Sequence, residues 1–406
     1  MFSFIKKLDK RSQFILFTCY YSFFCNGIVA LMIGSALPDI KSVYGISDTV
    51  SGLFLSAHSI GNIVAGLVGS VLPLYVGERK SIMSLSAMAF IGFLMMIVWG
   101  NPVWLFIAFI MTGITRGSVA NFDNRMVNLL SGGSSTASNC LHATFAVGAI
   151  LAPMIFLVMS RILSWRAALA AIVLFGFFSV FNFSRMKLDN EYPDRKDKAN
   201  RSIVFMKNPS YLILLAMMFF YLCSEYSING WLVTYIQNKE GLLASFEYSD
   251  EAVIAYSQSM ATLFWVLMLV GRLSCAALSL RFHQKKLLLI CSFGVLGFFL
   301  MMLTSSSIPM VTVSVAGVGL CLAGMCPMIY ADAAVFSNIY PMAMSCLIVI
   351  GSLGSVMMNT LIGILADRFG FQGGMSAITV AVVFLMVFSV LNVIVKTRDP
   401  VKSVVK

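Results

Sequence analysis

The chain has 406 residues, of which 59% are hydrophobic and only 11% charged, against about 25% charged in soluble domains. No water-soluble core could bury that much apolar surface, so lipid must cover most of it and a soluble globular protein is excluded. The net charge of +11 is no nucleic-acid footprint, because its placement follows a membrane rule set out below.

"MFSFIKKLDKRSQF" leads straight into a long apolar run with no small-residue cleavage pattern behind it, so the first hydrophobic segment is expected to stay as a helix. Crossing a bilayer takes about 20 apolar residues as helix, since no backbone polar group can go unpaired in hydrocarbon. Twelve runs qualify: 12–37, 50–75, 82–99, 103–130, 137–160, 164–186, 211–238, 252–280, 286–305, 309–336, 341–366 and 372–395. Most breaks between them carry Pro, Gly or charge, as in "VGERKS", "GNP" and "ADRFGFQGG". The longest polar stretch, "RMKLDNEYPDRKDKANR" (185–201), divides the chain almost in half. The expected fold is an all-α membrane protein of twelve transmembrane helices in two pseudo-symmetric six-helix halves, 1–186 and 209–406, joined by a cytoplasmic linker at 187–208. That is the form of a duplicated transporter built around a central cavity.

Orientation follows from Lys and Arg. With the N-terminus inside, the cytoplasmic segments hold 20 of them and the opposite side five: Lys41, Arg161, Arg166, Lys239 and Arg368. Three more, Arg116, Arg125 and Arg272, fall within helices. The bias puts both termini and the linker in the cytoplasm and the protein in the cytoplasmic (inner) membrane. The nine cysteines lack metal-ligand spacing and lie mostly in apolar runs, so they read as small hydrophobes. No HExxH, Walker loop or Ser/His/Asp grouping supports an enzyme or a cofactor.

A charge near the bilayer centre is costly unless it finds a partner or a water-filled cavity. Asp123 and Asp332 fall at the inner ends of the fourth and tenth runs, and each half has a basic loop after its second run. The parallel predicts two cytoplasmic gate pairs, Asp123 with Arg79 and Asp332 with Arg281. Glu225 differs. At about 1.5 Å per residue it lies near the midplane of the seventh run, with Asn229 one turn further along. The same count into the first run lands on Asn26. Glu225 is therefore read as facing the pathway. Arg116, near mid-depth, has three open roles: pairing with Glu225, binding an acidic solute group, or tuning a proton-carrying carboxyl. Asn121, Asn124 and Asn128 form an amide stripe along the fourth run, costly in hydrocarbon and so read as cavity lining. His142 opens the fifth run and His58 lies in the second.

"NCLHATFAVGAILAP" (139–153), "SEYSINGWLVTYI" (224–236), "ATLFWVLMLVGRL" (261–273) and "LIVIGSLGSVMMNTLIGILADRFG" (347–370) resemble the sugar-transporting branch of the major facilitator superfamily, and within it the fucose permease-like transporters. The resemblance implies alternating access, often proton-driven, for sugars or similar small polar solutes. The positions where such relatives carry proton-binding carboxylates hold Ala120 and Gly34 here, so the resemblance leaves Glu225, the remaining mid-depth acid, as the expected proton-coupling group. The expected substrate-binding set is Asn26, Arg116, Asn124, Asn128, His142, Glu225, Asn229, Trp231, Gln258 and Trp265, with the tryptophans stacking on a ring. The expected partners are a small solute, protons and lipid, with no nucleic acid, and the chain is expected to act as a monomer. An organic-anion or drug exporter, or a non-transporting solute sensor on the same fold, are the other readings.

Overall fold

The computed structural model describes residues 8–395 apart from 133–134, 189–203, 247–248, 280, 338–339 and 341, so most of the expected linker lies outside the described residues. The first half contains α1 (Lys10–Tyr44), α2 (Asp48–Val76), α3 (Glu78–Val98), α4 (Pro102–Ser131), α5 (Ser135–Ile162) and α6 (Trp165–Arg185). The second contains α7 (Pro209–Gln237), a short α8 (Glu240–Ser245), α9 (Asp250–Leu278), α10 (Gln284–Thr304), α11 (Ile308–Leu322), α12 (Met325–Ser337) and α13 (Met342–Ile394).

Local chemistry sets the ends. Asp9 caps α1 by accepting from the Arg11 and Ser12 backbone amides at 3.3 Å, and Gly45 closes it at φ 63°. The pairs Asn101–Pro102 and Asn208–Pro209 start α4 and α7: the Asn side chain caps, and Pro takes a first-turn position that needs no N–H.

Two helices depart from the runs read in the sequence. α13 covers 53 residues, about 80 Å of helix against a hydrocarbon core of about 30 Å. Its φ of 73° at Gly370 breaks the helix there, so it holds two spans, as the separate runs at 341–366 and 372–395 anticipated. Only a residue without a β-carbon adopts that conformation cheaply. The run at 309–336, read as one helix, is instead divided into α11 and α12. Pro327 explains the division: it has no N–H to return to the Ala323 carbonyl four residues back, and the ladder opens at Ala323–Gly324.

The chain forms two compact units. In the first, made of α1–α6 together with Ile254–Thr262 of α9, α2 packs on α4, α1 on α5, and α3 on both α4 and α6. In the second, α7 packs along α13 and against α12, and α10 packs on α11 and α13. At the end of α7, Lys239 is buried, with its ammonium donating to the Tyr235 hydroxyl at 2.8 Å and the Leu303 carbonyl at 2.9 Å. Burial pushes its pKa below the ordinary lysine value. Read from sequence as a loop lysine, it is a clamp on the ends of three helices, since Gln372 also donates to Leu303.

Candidate functional site

In the first unit the site begins with glycines. A β-carbon at Gly113 would overlap the His58 carbonyl, and one at Gly61 the Ile110 carbonyl, so α2 and α4 touch backbone to backbone. That contact sets the His58 side chain, 5% exposed, against α4. Its Nδ1 lies 2.9 Å from Thr112 Oγ1, whose own hydrogen goes to the Phe109 carbonyl at 2.7 Å. Thr112 therefore accepts, His58 Nδ1 carries the ring hydrogen, and Nε2 is left as an acceptor. A guanidinium nitrogen of the half-buried Arg116 stands 3.5 Å from that Nε2. Asn26, buried on α1, donates to the Arg116 carbonyl at 3.0 Å and ties the two helices together.

At the inner end the partners differ from the expected gate pairs. Asp123 is fully buried and takes a hydrogen bond from Ser22 of α1. Arg79, its expected partner, is exposed at the start of α3. The ion pair across α3 and α4 instead joins Glu78 to Arg125. In the second unit Asp332 accepts from Gln284 at 3.1 Å and from Asn392 at 3.3 Å, while Arg281 is exposed. In both halves the first side chain of the helix that follows, Glu78 of α3 and Gln284 of α10, reaches α4 or α12 in place of the arginine. These latches lie within each unit.

The second unit gathers its own group. Glu225 is buried at 6% exposure. Tyr221 lies one turn before it on α7, and Cys326 and Tyr330 of α12 lie within its field. Arg272 of α9 acts on Tyr221 and Cys326 as well, which gives the cluster a cation. The Arg272 guanidinium stands 5.8 Å from the centre of the Trp265 ring, and its buried Nε has no acceptor among the described residues. Trp265 donates from Nε1 to Asn229 Oδ1 at 3.0 Å. The cluster adjoins the Pro327 break, and interrupted helices are where transporters of this architecture build their sites.

Other expected residues have more local roles. Trp231 is fully buried against Phe371, with ring centres 5.6 Å apart, and is a packing residue. Trp265 is buried too, behind Asn229 and Arg272, so neither indole offers a face for stacking. Asn124 returns its amide to the Ala120 carbonyl of its own helix at 2.8 Å, and Asn121 and Asn128 are exposed. His142 is exposed and meets the Phe23 ring edge-on, 5.4 Å between centres. Gln258, fully buried, donates to the Ser35 carbonyl at 3.0 Å within the first unit. The sequence reading left out Arg272, Tyr221, Tyr330 and the His58–Thr112 pairing. Arg272 carried a signal, as one of the three basic residues that the sequence places within apolar runs and away from the loops.

The described residues are almost all helical, with 11 helices long and apolar enough to cross a membrane, which makes this a multi-pass membrane protein. The family model of the Major Facilitator Superfamily matches residues 19–256, more than half the chain, and the protein belongs to that superfamily. Among solved structures, a bacterial homolog of the human lysosomal transporter Spinster, in an inward-facing and occupied conformation, superposes with a TM-score of 0.74 at 14% identity, covering 98% of this chain and 99% of the other. The nucleoside transporter NupG, as a D323A mutant, gives 0.73 at 14% identity, with 94% and 98% covered. At that identity the likeness is one of fold. A search of curated protein sequences gives no match.

Proposed function

We propose that the protein is a secondary active transporter of a small polar organic solute, sugar or sugar-like, working by alternating access and driven by protons. The observation that carries this reading is Arg272: a half-buried guanidinium with an orphan donor, whose charge reaches the same Tyr221 and Cys326 as the buried acid Glu225, near a helix break. Asn229, Tyr226 and Tyr330 are partly exposed on the helices around it and offer an amide and two phenols to hydroxyl groups. The motif resemblance to the fucose permease-like branch supports a hydroxyl-rich solute, as does a fold neighbour that moves nucleosides. Glu225 serves as the proton carrier, its charge acting together with that of Arg272 on Tyr221 and Cys326. An organic anion is the second reading, favoured by Arg116 in the first unit.

The test is a thermal-shift screen of the purified chain against sugars, polyols, sugar acids and nucleosides. A solute at 100 times its Kd should stabilise by about 2.7 kcal/mol. Arg272→Gln is expected to weaken the response at least tenfold. A response undiminished in Arg272→Gln places the site elsewhere.

Orientation follows the positive-inside count, with both termini in the cytoplasm of the inner membrane. Ser306, exposed after α10, and Lys80, exposed on α3, suit cysteine labelling where the buried Lys239 does not. In a cysteine-depleted background, Ser306→Cys should react with an impermeant maleimide on intact cells, and Lys80→Cys only after lysis. Equal labelling in intact cells would overturn this orientation.

A further inference from the structure

We propose that His58 and Arg116 form a proton-linked acid-binding pair: an anionic group of the solute binds Arg116, and the proton that binds with it is held on His58 Nε2. The inference rests on the transporter reading and names its solute class, a hydroxylated acid such as a sugar acid.

Three features carry it. Hydrogen-bond polarity fixes His58 as the neutral Nδ1–H form, because Thr112 spends its only hydrogen on Phe109. Nε2 is then the acceptor for Arg116 at 3.5 Å, so a proton there would set two cations against one another. And the glycine contact between α2 and α4 holds the two side chains at that separation, so His58 cannot relieve the conflict by moving away with its helix. Arg116 is the charged group that acts on His58. The charges of α3 are confined to Glu78, Arg79 and Lys80 at its start. Those of α1 are Lys10, Arg11, Asp39 and Lys41 near its ends, and the other charges of α4, Asp123 and Arg125, lie about two turns further on. On α2 itself the only other charge is Asp48, paired with Lys41.

An arriving anion changes the balance. Arg116 turns its N–H groups to the acid, Nε2 loses its donor, and the anion's field favours a second ring hydrogen. The proton comes from water on the side from which the solute binds and leaves with it on the other. By linkage, anion and proton strengthen one another's binding by the same factor. One negative group and one proton then bind with no net change of charge at this pair.

The chain has only three histidines, His58, His142 and His283, so imidazole nitrogen spectra of the purified full-length protein are tractable. His58 should show the Nδ1–H tautomer from pH 8 to pH 6. Burial also keeps the ring neutral, so in Arg116→Gln its protonation should move to higher pH with no acid added, without reaching that of a free imidazole. Glucuronate, used as the probe, should convert His58 to imidazolium in the wild type at pH 6 and bind about tenfold tighter there than at pH 8, whereas neutral glucose should do neither. His58→Gln keeps an acceptor toward Arg116 but takes no proton, so its glucuronate affinity should be independent of pH. An Nε2–H tautomer, titration unmoved by Arg116→Gln, or pH-dependent binding that survives in His58→Gln would overturn the proposal. Vesicle uptake of glucose with His58 inert would defeat this inference and leave the transporter reading intact. His58 behaving as described, in a protein that moves no solute, would do the reverse.

Discussion

Glu225→Gln is expected to abolish accumulation of solute against a gradient while leaving exchange of solute across the membrane within about threefold of wild type. The carboxyl is buried beside Tyr221, Cys326 and Tyr330, and Gln keeps its shape and much of its hydrogen bonding. What Gln lacks is the proton. A one-proton symporter in a pH gradient of one unit can sustain about a tenfold concentration ratio, since one pH unit corresponds to about 1.4 kcal/mol. For a neutral solute, which does not engage the His58–Arg116 pair, the variant should settle at a ratio of about one, because nothing then ties its movement to the proton gradient. Exchange needs no net proton movement and is spared. If accumulation persists in Glu225→Gln and still collapses with an uncoupler, the coupling group is another one, and His58 is the next to test. If binding itself is lost, Glu225 contacts the solute.

The largest structural effect should come from Gly113→Val. A side chain there drives into the His58 carbonyl, which is backbone and cannot swing aside. The two helices would have to part, which separates His58 from Thr112 and Arg116 as well. Overpacking costs about 1–3 kcal/mol, and here the clash meets backbone, so the upper end applies. For a folding unit of this size 3 kcal/mol corresponds to a fall in Tm of roughly 6–12 °C. Gly66→Ala, on the same helix as His58 but with no heavy atom within 4 Å of the added carbon, should shift Tm by no more than about 2 °C. Equal destabilisation by both would contradict the close contact between α2 and α4.

Much of the fold was legible because it rests on signals carried one residue at a time. Apolar runs report spans, Asn–Pro pairs report helix starts, and Gly370 reports the corner inside α13. The Pro327 break was legible in principle, but a hydropathy run is blind to one lost N–H in the ladder. Depth could also be counted, and it placed Glu225 and Arg116 near mid-span. Direction around the helix could not be counted in helices apolar on nearly every side. Trp231 was therefore assigned to a binding surface although it packs on Phe371. Partner choice was harder still. Ser22 looks like any small residue of an apolar run, and Glu78 and Arg79 are neighbours in sequence, yet one pairs across helices and the other faces outward. Only the packing of α3 on α4 decides between them.

The most direct measurement records solute and proton together. Purified protein is reconstituted into sealed vesicles with a trapped pH dye, and a solute selected by the thermal-shift screen is added outside. With a neutral solute, wild-type vesicles should take it up and acidify inside in step with it, whereas Glu225→Gln vesicles should exchange it without acidifying. Solute entry in the wild type with no change of internal pH, or saturable binding with no entry at all, would contradict proton-driven transport.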